Sequence, residues 1–147
     1  MARRPRWQPA RVLALGWIAG LLVAAVPLGA EAAARSDAGC VVRVKSFRFD
    51  PRSVPSGGQT QLTEAVRNCT DQNRTITMTT YGSSSGGCPV LDPELEQETI
   101  PGHSTFLELG EWTVPDCTGR MVMHLRVTGS GGRVLDTAIA VLRIRAA

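Results

Sequence analysis

The chain has 147 residues, with 16 Lys/Arg against 13 Asp/Glu and a formal net charge of +3. That surplus sits at the start: Arg3, Arg4, Arg6 and Arg11 face only Glu31 in the first 34 residues, and the remaining 113 carry equal numbers of cations and carboxylates. No basic stripe is left, so the electrostatic footprint of a nucleic-acid binder is absent and nucleic acid is not an expected partner.

The opening segment has the three parts that a signal peptidase reads. A basic stretch precedes an uncharged run of 18 residues from Val12 to Gly29, and small residues follow at Ala30, Ala32, Ala33 and Ala34. Ala30-Glu31-Ala32 and Ala32-Ala33-Ala34 both fit an A-x-A site, so cleavage is expected after Ala32 or Ala34. The apolar run is long enough to span a bilayer if uncleaved, and membrane association is expected only through it. Pro27, Gly29 and the alanine-rich site favour removal. Arg3-Arg4 fits a twin-arginine route. A lipid anchor on Cys40 is not expected, because Asp37 stands where a lipobox has an aliphatic residue. Residues 1–34 are thus read as a cleavable signal peptide and 35–147 as one domain, secreted or held in the cell envelope.

All four cysteines, Cys40, Cys69, Cys88 and Cys117, follow the signal. An even number in an exported chain implies disulfides, which a domain of this size needs to supplement a limited core. No C-x-x-C pair exists, and His103 and His124 are not at zinc-ligand spacing from the cysteines.

Along this domain apolar residues recur with period two, the mark of strands with one buried face. Residues 40–49 form the first, with Val42 and Val44 inward; Phe47 and Phe49 follow in the opposite phase, which requires a bulge or a change of sheet. After a turn at Pro55-Ser56-Gly57-Gly58, a strand over 59–68 points Leu62 and Val66 inward. The next, 74–81, has Ile76 and Met78 in and Tyr81 out, and Ser83-Ser84-Ser85-Gly86-Gly87 reads as a flexible loop. Strands over 96–100 and 104–109 follow, and 120–128 places Met121, Met123, Leu125 and Val127 on one face with His124 and Arg126 on the other. Gly129-Ser130-Gly131-Gly132 is a turn. The last strand, 133–145, is apolar on both parities, so its inner face is open. No stretch has a helical period. Seven short strands at this spacing indicate a two-sheet sandwich.

Three patterns carry a resemblance: Phe49-x-Pro51-x-x-Val54-x-x-Gly57, then Leu62-Thr63-x-x-Val66-x-Asn68, then Arg126-Val127-Thr128 before a glycine turn. Over residues 40–145 the chain resembles the bacterial immunoglobulin-like domains of secreted and cell-surface proteins. That resemblance implies an all-β immunoglobulin-like sandwich of about seven strands, acting as a binding, spacer or structural module with no chemistry of its own. It also places Cys40 and Cys69 at one end of the sandwich and Cys88 and Cys117 at the other, implying the pairs Cys40–Cys69 and Cys88–Cys117. Loop-closure entropy makes each worth roughly 3–4 kcal/mol.

Candidate chemistry is sparse, and no enzyme activity, cofactor or metal is expected. A cupredoxin copper site needs a free Cys followed closely by His and then Met, but Met121 and Met123 precede His124 and occupy core positions. Neither histidine has an elbow serine near it. Glu94, Glu96 and Glu98 share one face of a short stretch, read as a solvated edge strand whose charges deter pairing, without the ligand loop of a calcium site. Glu64 falls on an inward parity, and an exposed edge position is the expected resolution.

The segment Gly87-Cys88-Pro89-Val90-Leu91-Asp92-Pro93 is the candidate binding loop, fixed by a disulfide and stiffened by Pro89 and Pro93. It resembles the reactive loop of the secreted subtilisin-inhibitor family, in which Cys-Pro precedes the scissile pair and an Asp-Pro follows; Val90 and Leu91 would flank that bond. Here the loop is one residue shorter before Asp-Pro, and the first cysteine pair departs from that family. The leading expectation is a binding or structural module whose partner is a protein or envelope component. A secreted protease inhibitor is the alternative.

The exported protein should begin at Ala33 or Arg35 and contain no free thiol. Intact-mass measurement with alkylation before reduction checks both, and one labelled cysteine contradicts the second.

Overall fold

The computed structural model describes residues 39–147; the signal segment and its cleavage sites lie outside the described residues. Eight strands form in chain order: β1 (Val42–Asp50), β2 (Ser53–Pro55), β3 (Gln59–Asn68), β4 (Arg74–Ser85), β5 (Glu94–Ile100), β6 (Thr105–Thr113), β7 (Gly119–Thr128) and β8 (Val134–Arg145). Among the described residues the only helical element is a single 3-10 turn at Ser130–Gly132. No helix of the described residues is long and apolar enough to cross a membrane.

The strands divide into a three-stranded sheet, β1-β3-β6, and a five-stranded sheet, β2-β8-β7-β4-β5. All pairings are antiparallel except the short β2, which runs parallel to β8. β2 is the strand that the sequence did not announce, three residues between Pro51 and Gly57 with only Val54 to bury. The predicted phase change in β1 is a bulge within one sheet, with the register to β3 shifting between Val44 and Ser46. The Val44 amide donates instead to the Asp136 carboxylate of β8 at 2.8 Å, tying the two sheets together where β1 packs on β8.

The core lies between the sheets. Phe47, Phe49 and Val66 come from the smaller one, and Ile76, Met78, Met121, Leu125, Val127, Leu142 and Ile144 from the larger. β8 resolves its two-sided pattern by burying Ala140, Leu142 and Ile144 and exposing Ile139. Burial of these side chains is the main favourable contribution, at about 1.5–3 kcal/mol for each large residue. One reading needs correction. Ser83–Ser85 are not a loop but the end of β4, paired with Val122, Met121 and Arg120 of β7. Serine has little strand preference, and the neighbouring strand's ladder decides the conformation.

Both disulfides pair as the resemblance implied: Cys40–Cys69 with S–S 2.05 Å and Cys88–Cys117 with 2.08 Å, each spanning 29 residues, with no free cysteine among the described residues. The first joins the chain ahead of β1 to the end of β3. The second joins the β4–β5 connection to the β6–β7 connection. Beside the first, the Asn68 side chain is wholly buried. Its Nδ2 donates to the carbonyls of Gln72 (2.7 Å), Ile100 (2.9 Å) and Pro101 (3.1 Å), and its Oδ1 accepts from the Thr70 amide and hydroxyl.

Asn68 therefore closes one end of the molecule, and its loss orphans buried carbonyls that apolar neighbours cannot satisfy. Asn68→Ala should cost roughly 2–4 kcal/mol in urea unfolding with the disulfides intact. A loss under about 1 kcal/mol would remove Asn68 from that role.

Candidate functional site

β4 ends where Gly86 and Gly87 take positive φ values of 73° and 79°. Gly86 has no alternative, because a Cβ there would lie 2.3 Å from the Thr118 carbonyl oxygen. The chain then reverses at Cys88, which the bond to Cys117 and a hydrogen bond from Ser84 Oγ to its carbonyl hold down. From there the predicted loop runs back along β4 as a strap. The Gly82 amide donates to the Leu91 carbonyl at 3.3 Å, and a Cβ at Gly82 would press on the Leu91 side chain at 3.0 Å. Leu91 accordingly turns inward onto the core, while Pro89, Asp92 and Pro93 are exposed and Val90 stands out at 68% exposure.

Beneath the strap lies a hollow of about 220 Å³ between the sheets. Phe49, Leu62 and Trp112 of the smaller sheet form one wall, with the Phe49 and Trp112 rings stacked at 5.7 Å and 28°. Thr80 and Met123 of the larger sheet and Leu91 of the strap form the other, and Asp92 and Glu94 stand at the mouth. The lining is apolar and its edge acidic. Trp112 is the only tryptophan after residue 17. Its place was hidden in the sequence because β6 was expected to stop at 109. On the longer strand Phe106, Glu108, Gly110 and Trp112 share the inner parity, while Leu107 and Leu109 are exposed.

One step along the sandwich from the hollow, the inward positions become carboxyls. Glu64 of β3 stands opposite Glu108 of β6, and Glu96 and Glu98 of β5 stand opposite Met78 and Ile76 of β4. Two expectations are corrected here. Glu64 is not at an exposed edge: β3 is the middle strand of its sheet and Glu64 is 7% exposed. β5 is an edge strand, but Glu96 and Glu98 face inward and half-buried, while the opposite face shows Leu95 at 70% exposure. Tertiary packing has inverted the polarity that the alternation implied.

Burial pushes the Glu64 carboxyl up to about 8, with the charges of Glu108 and Glu96 adding to it. Glu96 rises to about 7, again first by burial, then by the charge of Glu108 and side-chain hydrogen bonds with Glu108 and Glu98. A carboxyl–carboxyl hydrogen bond requires a proton, so the group is held together only when it is partly neutral. Glu64 Oε1 is buried and has no hydrogen-bond partner among the described residues.

The remaining sequence candidates are dispersed. His103 sits in the β5–β6 turn at φ 55°, with its Nε2 3.9 Å from Asp71. His124 lies on the outer face of β7, its ring stacked on Tyr81 at 4.9 Å, a contact that the sequence did not reveal. Met121 and Met123 are core residues and Cys117 is in a disulfide. Among the described residues no group of three or more His, Cys, Asp or Glu has the geometry to hold a metal ion.

The sign of the Glu64 effect is fixed by the direction of its shift. A carboxyl raised in the folded state favours folding below its ordinary value of 4.5 and loses that contribution as pH rises through about 8. The protein should therefore be less stable at about pH 9 than at about pH 5, and Glu64→Gln should flatten that slope and gain roughly 2–4 kcal/mol at the alkaline end. Urea unfolding across this range checks it; an unchanged slope in the variant contradicts it.

No family model and no curated protein matches the sequence. Solved structures do share the fold. Pseudomonas fluorescens alkylpurine DNA glycosylase AlkC aligns over 73% of this chain and 31% of its own, at 14% identity and TM-score 0.55. The cycloisomaltooligosaccharide glucanotransferase of Paenibacillus sp. aligns over 71% of this chain and 14% of its own, at 15% identity and TM-score 0.52. The sporulation control protein Spo0M of Bacillus subtilis aligns over 73% of this chain and 50% of its own, at 11% identity and TM-score 0.51. This chain spans half or less of each of these proteins, and at such identities the likeness is one of fold.

Proposed function

We propose that this protein is a non-enzymatic binding module of immunoglobulin-like form, exported to the cell envelope or beyond, whose site is the hollow beneath the 88–93 strap. The observation that carries the reading is the hollow itself: an apolar recess with an acidic mouth, roofed by a segment that a disulfide and two prolines hold in place. The stiffness of that roof lowers the ordering cost of binding. A volume of about 220 Å³ is below the range of drug-sized ligand pockets, so the natural occupant is a small apolar group, such as one side chain of a protein or one moiety of an envelope component. Two sheets in the order β1-β3-β6 and β2-β8-β7-β4-β5, with β2 parallel to β8, support the immunoglobulin-like assignment. The two disulfides support an oxidising destination.

One observation favours the protease-inhibitor reading, namely the projection of Val90 between two prolines next to a disulfide. It weighs less than the inward turn of Leu91, whose carbonyl is held by Gly82. The residue on the far side of the scissile bond would have to be pulled out of the core to lie in a protease cleft.

The test uses the neutral fluorescent probe N-phenylnaphthylamine and a variant that fills the recess. Wild type should bind the probe, Thr80→Phe should weaken binding at least about tenfold, or about 1.4 kcal/mol, and Val90→Asp should leave it unchanged. Inhibition of a subtilisin- or elastase-like protease at micromolar concentration, abolished by Val90→Asp, would replace this reading with the inhibitor.

A further inference from the structure

The carboxyls beside the hollow come from three strands in two sheets, and their placement is mechanical as well as electrostatic. β5 and β6 are the edge strands of their respective sheets. Glu96 and Glu98 extend inward from β5, Glu108 from β6 and Glu64 from β3, so the seam between the two edges is lined by acids where a sandwich ordinarily has aliphatic side chains. Glu108 acts on Glu96 across that seam, by its charge and a side-chain hydrogen bond that raise the Glu96 carboxyl.

Among the described residues, the strand partners of the group include no cation. The partner of Glu64 on β1 is Phe47, the partners of Glu96 and Glu98 on β4 are Met78 and Ile76, and all three are buried apolar residues. Lys45 and Arg48 of β1 are exposed, and Arg67 lies on the alternate parity of β3. The charges that act on Glu64 and Glu96 are those of other carboxyls. Glu64 Oε1, buried without a hydrogen-bond partner among the described residues, is a group that the fold tolerates when it is neutral.

The same strands build the hollow. Glu94 begins β5 and lines the mouth directly after the strap that ends at Pro93, and Trp112 is on the same face of β6 as Glu108, four residues on. β5 is bonded to the sheet through β4 alone. Any force that separates the seam therefore moves the strap and the mouth.

We propose that this four-glutamate seam is a proton-operated latch on the hollow: shared protons hold β5 against the smaller sheet, and their loss drives β5 and the strap away and opens the recess. The proposal rests on the reading of the hollow as a binding site and adds its regulation. Ionised carboxylates at hydrogen-bond range inside a low-dielectric seam repel strongly. Among the described residues no strand partner of the four glutamates is a cation that could relieve that repulsion, and β5 has a neighbouring strand on one side only. The latch is closed in mildly acidic surroundings and open in alkaline ones.

Hydrogen exchange of the intact exported protein at about pH 6 and pH 9, corrected for the chemical rate, tests it, with peptides over 88–100 reporting the latch and 119–128 as internal reference. Protection over 88–100 should fall at least about tenfold at the higher pH relative to the reference, and N-phenylnaphthylamine should enter faster there. The double variant Glu64→Gln, Glu96→Gln should keep both properties constant. Equal protection at the two values, a loss shared fully by 119–128, or the same loss in the double variant would overturn the latch. A probe that enters at a pH-independent rate while 88–100 responds would overturn the gate but keep the site. A responsive seam with no probe bound at either pH would overturn the site, and the gate with it.

Discussion

A sheet of three strands set against a sheet of five leaves part of the larger face without a counterpart, and most of what is distinctive in this molecule follows from that mismatch. Adjacent strands lie about 4.8 Å apart, so two strands amount to about 10 Å of uncovered width. On the β1 side the deficit is small, because β2 is three residues long and β1 packs directly on β8, with Asp136 reaching across to the amide freed by the bulge. The shortfall is thereby transferred to the β5 side. There β5 extends past the smaller sheet, and the space beneath it is filled by the strap, the hollow and the glutamates rather than by more core.

The cross-links make sense in the same terms. Each disulfide spans 29 residues, and each restrains a connection rather than a strand centre. Cys40–Cys69 and Asn68 consolidate one end, where the buried amide satisfies three carbonyls that a hydrophobic residue would leave orphaned. Cys88–Cys117 consolidates the other by pinning the strap to the β6–β7 connection. The bond therefore does two things at once: it restricts the unfolded chain, and it holds Leu91 over the recess.

How much of this was legible in the residues depended on whether one strand alone determined the outcome. Strands such as 74–78 and 121–127, with Ile76, Met78, Met121, Met123, Leu125 and Val127 on a single parity, state their buried face unaided, and each of these residues is buried. The break in β1 was legible as well, as a bulge or a change of sheet, because Val44 and Phe47 lie in opposite phases; the pairing with β3 makes it a bulge. The site was not. Its walls come from Phe49, Leu62, Thr80, Leu91, Trp112 and Met123, which have no common spacing in the chain. The serines of 83–85 became strand because β7 offered a ladder, and the glutamates of β5 turned inward because pairing with β4 fixed their register. In both places a long-range pairing overruled a local preference, and period-two reasoning has no access to such pairings.

The inward glutamates are the one place where local pattern, packing and electrostatics disagree, and such disagreements concentrate where a protein does something other than fold. A leucine at 64 or 108 would bury more apolar surface and remove the alkaline instability, so stability alone does not account for acids at both positions. Nor does solubility, since Glu64 is hidden from water. Specificity of register is a possible structural use for a buried polar group, but Phe47, Val66 and Asn68 already fix β3 against its neighbours. What the acids add is a dependence on protons, localised at the β5 edge of the larger sheet and beside the apolar hollow. The two disulfides suit an oxidising environment, and under the proposed latch a seam whose cohesion tracks pH would convert that variable into access to the recess. The mismatch between the sheets supplies the room for such a seam.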